Sequence, residues 1–206
     1  MTTEAYRTPR GPGASTLVIK RSRFVGAIAP VPDEPAARAF LHEIRTQHGG
    51  AVHHVYAYVL RQGGASRHSD DGEPRGTGGL PVLEVLRREN IFDACCVVAR
   101  YFGGILLGAP GLARAYAAAA KAALDDAGVA ERRAWTLVAM SFPYAAWRQA
   151  QLEIAEAGGV VEEAVFAAEV TCHLAIPATA LPALANRIAE ITSGRAQIRI
   201  KSETFL

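Results

Sequence analysis

Cysteine is scarce in this sequence, which has Cys95, Cys96 and Cys172 among its 206 residues. Neighbouring residues of a strand point to opposite faces, so Cys95 and Cys96 are poor partners for a disulfide bond. An odd number of cysteines without Cys-x-x-Cys spacing argues against both a disulfide framework and a zinc site. We therefore expect buried, reduced thiols. Because an apolar strand disfavours the thiolate, we expect neither Cys95 nor Cys96 to act as a nucleophile.

Long apolar runs are also missing. The most apolar long stretch, residues 109–124, is interrupted by Arg114 and Lys121 and is too short to span a bilayer. Residues 1–12 lack the apolar core that a signal peptide needs. We expect a soluble, cytoplasmic protein with no membrane partner.

Neither sign of charge dominates, because the formal net charge is only +2. The chain is 50% hydrophobic and 20% charged, a composition typical of globular rather than disordered proteins. Residues 1–134 hold 17 Lys and Arg against 13 Asp and Glu, whereas residues 135–206 hold 5 against 7. Any anion-binding surface is therefore expected in the first part of the chain.

The pattern of apolar residues and turn signals predicts an α+β protein of two domains, at 16–134 and 135–206, after a loose arm at 1–15. In the first domain, Ala94 to Phe102 is a continuous apolar run of the kind found in a buried central strand. The other strands are predicted at 17–19, 24–31 and 52–60, and the helices at 33–48, 81–88 and 110–127, with a long polar loop at 61–79.

The second domain has an order of its own. The alternation of apolar and polar residues predicts βαββαβ, the order of ferredoxin-like domains. Its strands are predicted at 135–142, 160–166, 169–176 and 196–201, and its helices at 144–157 and 181–192.

An acidic loop, residues 69–79, places Asp70, Asp71 and Glu73 among several glycines. Carboxylates so closely spaced could hold a hard cation through oxygen ligands, or position water as general acid or base. The spacing does not fit an EF-hand, which needs more ligands and a distal Glu. The alternative is structural, because acidic residues beside glycines often cap turns and helices.

A glycine-rich turn follows the apolar strand and leads into a helix. Exposed N–H groups at such a helix start favour an anion such as phosphate, and arginines can add a charge-assisted clamp. The pattern is neither a Walker A loop nor a dinucleotide-binding fingerprint. The alternative is close packing of a small-residue helix on the sheet. The residues concerned are Gly103, Gly104, Gly108 and Gly111, with Arg100 and Arg114 beside them.

The remaining candidates for catalysis are weak. His53 and His54 alternate across a strand, and a structural role is expected for both. No nucleophile elbow or Ser/His/Asp order is present. We therefore predict no catalytic residue, no resident metal and no cofactor.

Three segments resemble the signatures of the IMPACT/YigZ family, in that family's order and spacing. They are residues 20–24 (KRSRF), 69–81 (SDDGEPRGTGGLP) and 97–104 (VVARYFGG), the last continued by 108–116. The C-terminal βαββαβ order is similar to the second domain of bacterial members. Three positions depart from the common pattern. Gly78 stands where Ala is usual, Pro110 where Gly is usual, and Leu106 where Lys is frequent, which weakens a phosphate clamp at this loop.

The resemblance implies a first domain like the second domain of ribosomal protein S-five and a second domain like a late domain of elongation factor G. It also implies an association with translation, without a known ligand or an established reaction.

The first functional hypothesis is a non-catalytic protein that regulates translation by binding RNA or the ribosome, with no role for DNA. The second is a small-molecule enzyme or binding protein for a phosphorylated ligand, in which Asp70, Asp71 and Glu73 hold Mg²⁺ or act as base. The third is an adaptor that binds a protein partner in translation. A structural network of arginines and carboxylates between the two loops would explain both loops without any ligand. The residues predicted to bind the anion or nucleic acid are Lys20, Arg21, Arg23, Arg75, Arg100, Gly103, Gly104, Gly108, Gly111 and Arg114.

Overall fold

A computed structural model describes residues 5–205, which divide into two units, one at Tyr6–Glu131 and the other beginning at Arg132. Both units combine sheets with helices, so the predicted α+β architecture of two domains is confirmed. Across the described residues, no helix is long and apolar enough to cross a membrane.

The first unit is an antiparallel sheet with helices on both faces. After β1 (Ala5–Pro9), its strand order is β2-β3-β6-β4-β5. The elements are β2 (Gly13–Ile19), β3 (Ser22–Pro30), α1 (Glu34–Gln47), β4 (His53–Val59), β5 (Ser66–Ser69), α2 (Gly79–Arg88), β6 (Ala94–Tyr101) and α3 (Ala109–Ala127).

The predicted buried strand is β6, which lies at the centre of this sheet between β3 and β4. Because side chains alternate along a strand, Cys96 and Val98 pack in the core beneath α2 and α3, whereas Cys95 and Val97 pack on the opposite face with α1. Burial raises the pKa of the Cys95 thiol to about 12. All three cysteines are free and buried, as expected from the sequence.

Helix α3 packs closely on β2 and β3 because small residues face each other. A Cβ atom added at Gly26 would lie 2.7 Å from the Ala119 carbonyl oxygen, and one at Gly13 would lie 2.4 Å from the Ala123 carbonyl oxygen. Only glycine permits this approach. Close packing of a small-residue helix on the sheet therefore accounts for the alanine content of α3.

Two parts of the chain differ from the sequence-based expectation. The arm expected to be loose at 1–15 contains β1 and the start of β2 within its described residues, because its backbone is hydrogen-bonded. Phe92 N donates to Arg7 O at 2.8 Å, and Arg10 N donates to Gly128 O at 3.0 Å. The polar loop at 61–79 contains the short strand β5, whose polar sequence gives no apolar alternation but which pairs with β4.

The second unit has the ferredoxin-like order predicted from the sequence. Its strands pair as β10-β7-β9-β8, all antiparallel. The two helices cover one face of the sheet, where the apolar core lies. The elements are β7 (Val129–Phe142), α4 (Trp147–Glu156), β8 (Val160–Phe166), β9 (Val170–Pro177), α5 (Leu181–Thr192) and β10 (Gln197–Phe205).

Candidate functional site

The three segments singled out in the sequence meet at one end of the first sheet. Arg100, near the end of β6, lies directly between Phe24 of β3 and His53 of β4 in the strand register. The glycine-rich turn then returns to the β2–β3 hairpin, where Gly103 N donates to Ser22 Oγ at 3.2 Å. The acidic loop reaches the same place through Glu73, described below.

Gly103 is required by packing. A Cβ atom at this position would lie 2.0 Å from the backbone carbonyl carbon of Arg21. No side chain fits there, so glycine at 103 allows the turn to lie directly against the hairpin. Gly104 and Gly108 differ, because both have positive φ and a Cβ would meet open space.

The hairpin tip holds two cationic residues in an unfavourable backbone conformation. Lys20 and Arg21 have φ of 46° and 65°, and the flanking Ile19 and Ser22 pair with each other. Two successive positive φ values are typical of a type I′ turn, where Asn-Gly is preferred. Residues with a Cβ cost about 1 kcal/mol or more each in this conformation. The structure therefore maintains two exposed cations at a turn where other residues would be more stable.

A buried network joins the acidic loop to β6 and α3. Arg100 Nη1 donates to Glu73 Oε1 at 2.5 Å, and Tyr116 Oη donates to the same oxygen at 2.7 Å. The Arg100 and Glu73 side chains are only 7% and 3% exposed. Burial, followed by the hydrogen bond to Glu73, raises the pKa of Tyr116, so this residue is a neutral donor.

The position of Arg100 corrects the prediction that it clamps an external anion. Its guanidinium carbon lies 5.5 Å from the ring centroids of both Phe24 and Phe102. Arg100 Nε is buried and has no hydrogen-bond partner among the described residues. A buried side chain that contacts two aromatic rings and is bonded to Glu73 fits the structural network that the sequence left open as an alternative.

Asp70 organises the acidic loop and the start of α2. Its Oδ2 accepts from Gly76 N at 2.8 Å, and its Oδ1 accepts from Gly78 N at 2.9 Å and Gly79 N at 2.8 Å. Burial acts to raise the pKa of Asp70, but these three backbone donors outweigh it and the pKa is lowered. Both oxygens are therefore directed at the protein.

Asp71 is engaged in the same manner. Its Oδ1 accepts from Arg45 Nη2 at 2.9 Å and its Oδ2 accepts from His54 N at 2.6 Å. The carbonyl oxygen of Asp71 accepts from His53 Nδ1 at 2.7 Å, which fixes the proton on that nitrogen. Within residues 5–205, no group of three or more His, Cys, Asp or Glu side chains is placed to hold a metal ion. The Asp71 carboxylate therefore joins the acidic loop to α1 and β4, whereas that of Asp70 caps the start of α2.

The other predicted cations remain at the surface. Lys20, Arg21, Arg75 and Arg114 are exposed, and their side chains make no hydrogen bond or ion pair with a residue that the structure describes. Arg23 is exposed, and its guanidinium lies over the ring of Tyr101, 4.1 Å from the centroid.

Lys20 and Arg114 line the same groove. This groove, of about 310 Å³, lies between the hairpin and the first half of α3, and none of its lining residues is acidic. The helix begins after Gly108 without a side-chain cap, so its first N–H groups have no side-chain acceptor. The remaining lining residues are small or apolar: Ile19, Leu107, Gly111, Ala115 and Ala118. We call this hollow the hairpin groove.

The glycine-rich turn also presents apolar side chains to solvent. Phe102 is 51% exposed, Ile105 38% and Leu106 81%. Three exposed apolar side chains within one short turn are unusual, since much of their apolar surface stays in contact with water. Sequence inspection did not identify this feature, because apolar residues that continue a buried strand are expected to be buried as well.

Both domains have counterparts in known proteins. Residues 20–124 match the model of the Impact N-terminal domain, and residues 140–195 match a domain of unknown function, DUF1949. The chain is 34% identical over 203 residues to the IMPACT family member YvyE of Bacillus subtilis, covering 98% of this chain and 94% of that protein. The chain belongs to the IMPACT family.

Further relatives agree with this membership. The IMPACT family member YigZ of Escherichia coli is 30% identical over 198 residues, covering 95% of this chain and 97% of that protein. The solved structure described as a crystal structure of a hypothetical protein has a TM-score of 0.66 at 29% identity, covering 97% of this IMPACT family chain and 98% of its own.

Proposed function

We propose that this IMPACT family chain is a non-catalytic RNA-binding protein that regulates translation by contacting the ribosome. The observation that carries the proposal is the hairpin groove. Lys20 and Arg114 lie on its two sides, their side chains make no hydrogen bond or ion pair within residues 5–205, and none of the residues that line the groove is acidic. Cations that are not neutralised within the fold attract the phosphates of a nucleic acid, and such contacts supply most of its sequence-independent binding.

The uncapped start of α3 adds to this attraction. The N-terminus of a helix carries a partial positive charge and free N–H groups, both of which favour a phosphate. Gly111, in the first turn, leaves the backbone accessible from the groove. One phosphate at the helix start and further phosphates along Lys20 and Arg21 would continue a single strand across this end of the sheet.

The exposed tip favours RNA with unpaired bases over a regular duplex. Phe102 has one side towards the Arg100 guanidinium and is half exposed. An exposed aromatic ring beside cations is the arrangement on which proteins stack unpaired bases. Ribosomal RNA offers such bases in loops and bulges, which supports the ribosome as the partner and the cytoplasm as the location.

The engaged carboxylates favour a binding role over catalysis. Asp70, Asp71 and Glu73 all accept hydrogen bonds from protein donors, which leaves no acidic group of the loop available as a general base. A second candidate is a phosphorylated small molecule, because a hollow of about 310 Å³ is large enough for one. Saturable binding of a nucleotide or sugar phosphate in the absence of RNA would favour that candidate.

The test is co-sedimentation of the purified protein with ribosomes from its own source, at low and at moderate salt. We expect binding that survives moderate salt and is weakened about tenfold or more by Lys20→Gln with Arg114→Gln, because two phosphate contacts are lost. The control is Arg38→Gln, an exposed cation of α1 on the opposite side of the sheet. No binding at either salt, or equal loss in the control, would refute the proposal.

A further inference from the structure

One face of the second sheet is open. Helices α4 and α5 pack on the face formed by Val138, Met140, Cys172 and Leu174. Because side chains alternate along a strand, the residues between them point away from both helices. These open-face residues line a hollow of about 200 Å³ together with β10: Ala139, Ser141, Thr171, His173, Gln197, Arg199 and Lys201.

The strand register brings the polar groups into two rows. Arg199 of β10 pairs with Ala139 of β7, which pairs in turn with His173 of β9. In the neighbouring row, Gln197 pairs with Ser141, which pairs with Thr171. The small Ala139 therefore lies between an arginine and a histidine, and forms the floor of the hollow.

The cations around this hollow are not neutralised by the fold. Arg199 and Lys201 are exposed, and neither their side chains nor that of His173 make a hydrogen bond or ion pair with another residue of the described chain. The acidic residue that lies in register with His173 is Glu163 of β8, on the side away from Arg199. The hollow itself has no acidic lining residue, although the second part of the sequence has more acidic than basic residues.

We infer that this open face is a second RNA-binding site, which holds a backbone phosphate between Arg199, Lys201 and His173. The guanidinium and the ammonium supply charge-assisted hydrogen bonds, and the hydroxyl groups of Ser141 and Thr171 donate from the floor. The hollow has no aromatic lining residue on which a base would stack, so the contact is to the phosphodiester backbone and is independent of sequence.

RNA as the ligand rests on the proposed function, but the residues belong to the other unit and are tested separately. The salt dependence of binding measures the number of phosphate contacts, since each contact to a single strand contributes about 0.7 to the slope of log K against log salt. A variant that removes one contact therefore lowers the slope by about that amount, whereas a variant that merely perturbs the fold does not.

The first experiment is fluorescence anisotropy of a labelled oligouridine with the full chain over a range of salt concentrations. We expect Arg199→Gln to lower the slope by about 0.7. Ala139→Leu fills the floor without changing the charge, and we expect it to lower the slope by the same amount. Arg148→Gln removes an exposed cation from α4, on the covered side of the sheet, and should leave the slope unchanged.

The second experiment maps the contact directly. Amide NMR signals of the full chain are followed during titration with the same oligouridine, and the signals of Ala139, His173 and Arg199 are expected to shift in a saturable way. Polyglutamate serves as a polyanion without phosphate.

The outcomes are distinct. If RNA shifts only signals of residues 6–131 and Arg199→Gln leaves the slope unchanged, the open face is not an RNA site and the proposed function stands. If the full chain binds no oligouridine even at low salt, the open-face site and the proposed RNA-binding function are both wrong. If polyglutamate shifts the open-face signals and oligouridine does not, the face takes an acidic polypeptide and the inference is overturned.

Discussion

Arg100 Nη1 lies 2.5 Å from Glu73 Oε1, and this contact joins the glycine-rich turn after β6 to the acidic loop before α2. Both side chains are more than nine-tenths buried. A buried ion pair of this kind adds little to the free energy of folding compared with an apolar pair of the same shape. Loss of one partner, however, leaves an uncompensated buried charge, which is strongly destabilising. The pair therefore fixes the two loops relative to each other.

Glu73→Gln should destabilise the first domain by about 3–5 kcal/mol, because the Arg100 charge then lacks a counter-charge. Tyr116→Phe removes only one donor to Glu73 and should cost about 1–2 kcal/mol. Urea unfolding of each variant measures both values.

A double variant tests whether the cost of Glu73→Gln comes from the uncompensated charge of Arg100. Glu73→Gln combined with Arg100→Met removes both charges, and should recover a large part of the stability lost in the single variant. If Glu73→Gln has the same urea midpoint of unfolding as the wild type, the buried network does not fix the two loops.

Asp70→Asn should weaken the loop and the α2 cap by about 1 kcal/mol at neutral pH, because the amide offers one acceptor oxygen where the carboxylate offers two. The pKa of Asp70 is lower in the folded state than in the unfolded state. The stabilisation by the ionised form is therefore fully present above the unfolded pKa of about 3.9, and is lost as the pH falls through the lower folded value.

The measurement is the free energy of unfolding of both proteins from neutral pH to below pH 4. The difference between wild type and Asp70→Asn should be constant above about pH 5 and shrink below about pH 4. A difference that stays the same down to the lowest pH would show that Asp70 stabilises the loop without its charge.

The sequence predicts the fold better than it predicts the use of the site residues. The apolar run of β6 and the βαββαβ order of the second domain are local patterns, and each is present as predicted. Strand β5 and the hydrogen-bonded backbone of residues 5–15 depend on contacts with distant backbone, which leave no signal in composition.

The site residues illustrate the same limit. Arg100 and Arg114 are both arginines beside glycines, yet one is buried against Glu73 and the other is exposed. Whether an arginine is buried or exposed depends on the residue that packs against it, and Glu73 is distant from Arg100 in sequence. The role of Tyr116 in the network depends on the same long-range contact.

Gly103→Ala and Gly104→Ala form a matched pair in one turn. The added methyl group at 103 would lie 2.0 Å from the Arg21 carbonyl carbon, so the hairpin must move away from the turn. At 104 the space is open and only the positive φ of 81° is unfavourable, which costs about 1 kcal/mol. We expect Gly103→Ala to cost at least twice as much in thermal unfolding, and to reduce ribosome binding. Equal costs would mean that the turn and hairpin do not need to be in contact.

The hairpin tip allows stability and binding to be separated. Lys20→Asn with Arg21→Gly introduces the residues that a type I′ turn prefers, and relief of two unfavourable φ values should stabilise the first domain by about 1–2 kcal/mol. The same change removes two exposed cations and should weaken ribosome binding about tenfold or more. Thermal unfolding and co-sedimentation on the same preparations measure the two effects.

The control is Asn90→Gly, which relieves a positive φ of 55° at a residue without charge. It should change stability only slightly and leave binding unaltered, because the asparagine already tolerates this conformation. If the hairpin variant gains stability and loses ribosome binding, and the control does neither, the two cations with positive φ are retained for binding. If the hairpin variant is more stable and binds ribosomes as tightly as wild type, Lys20 and Arg21 do not contact RNA and the hairpin groove is not the site.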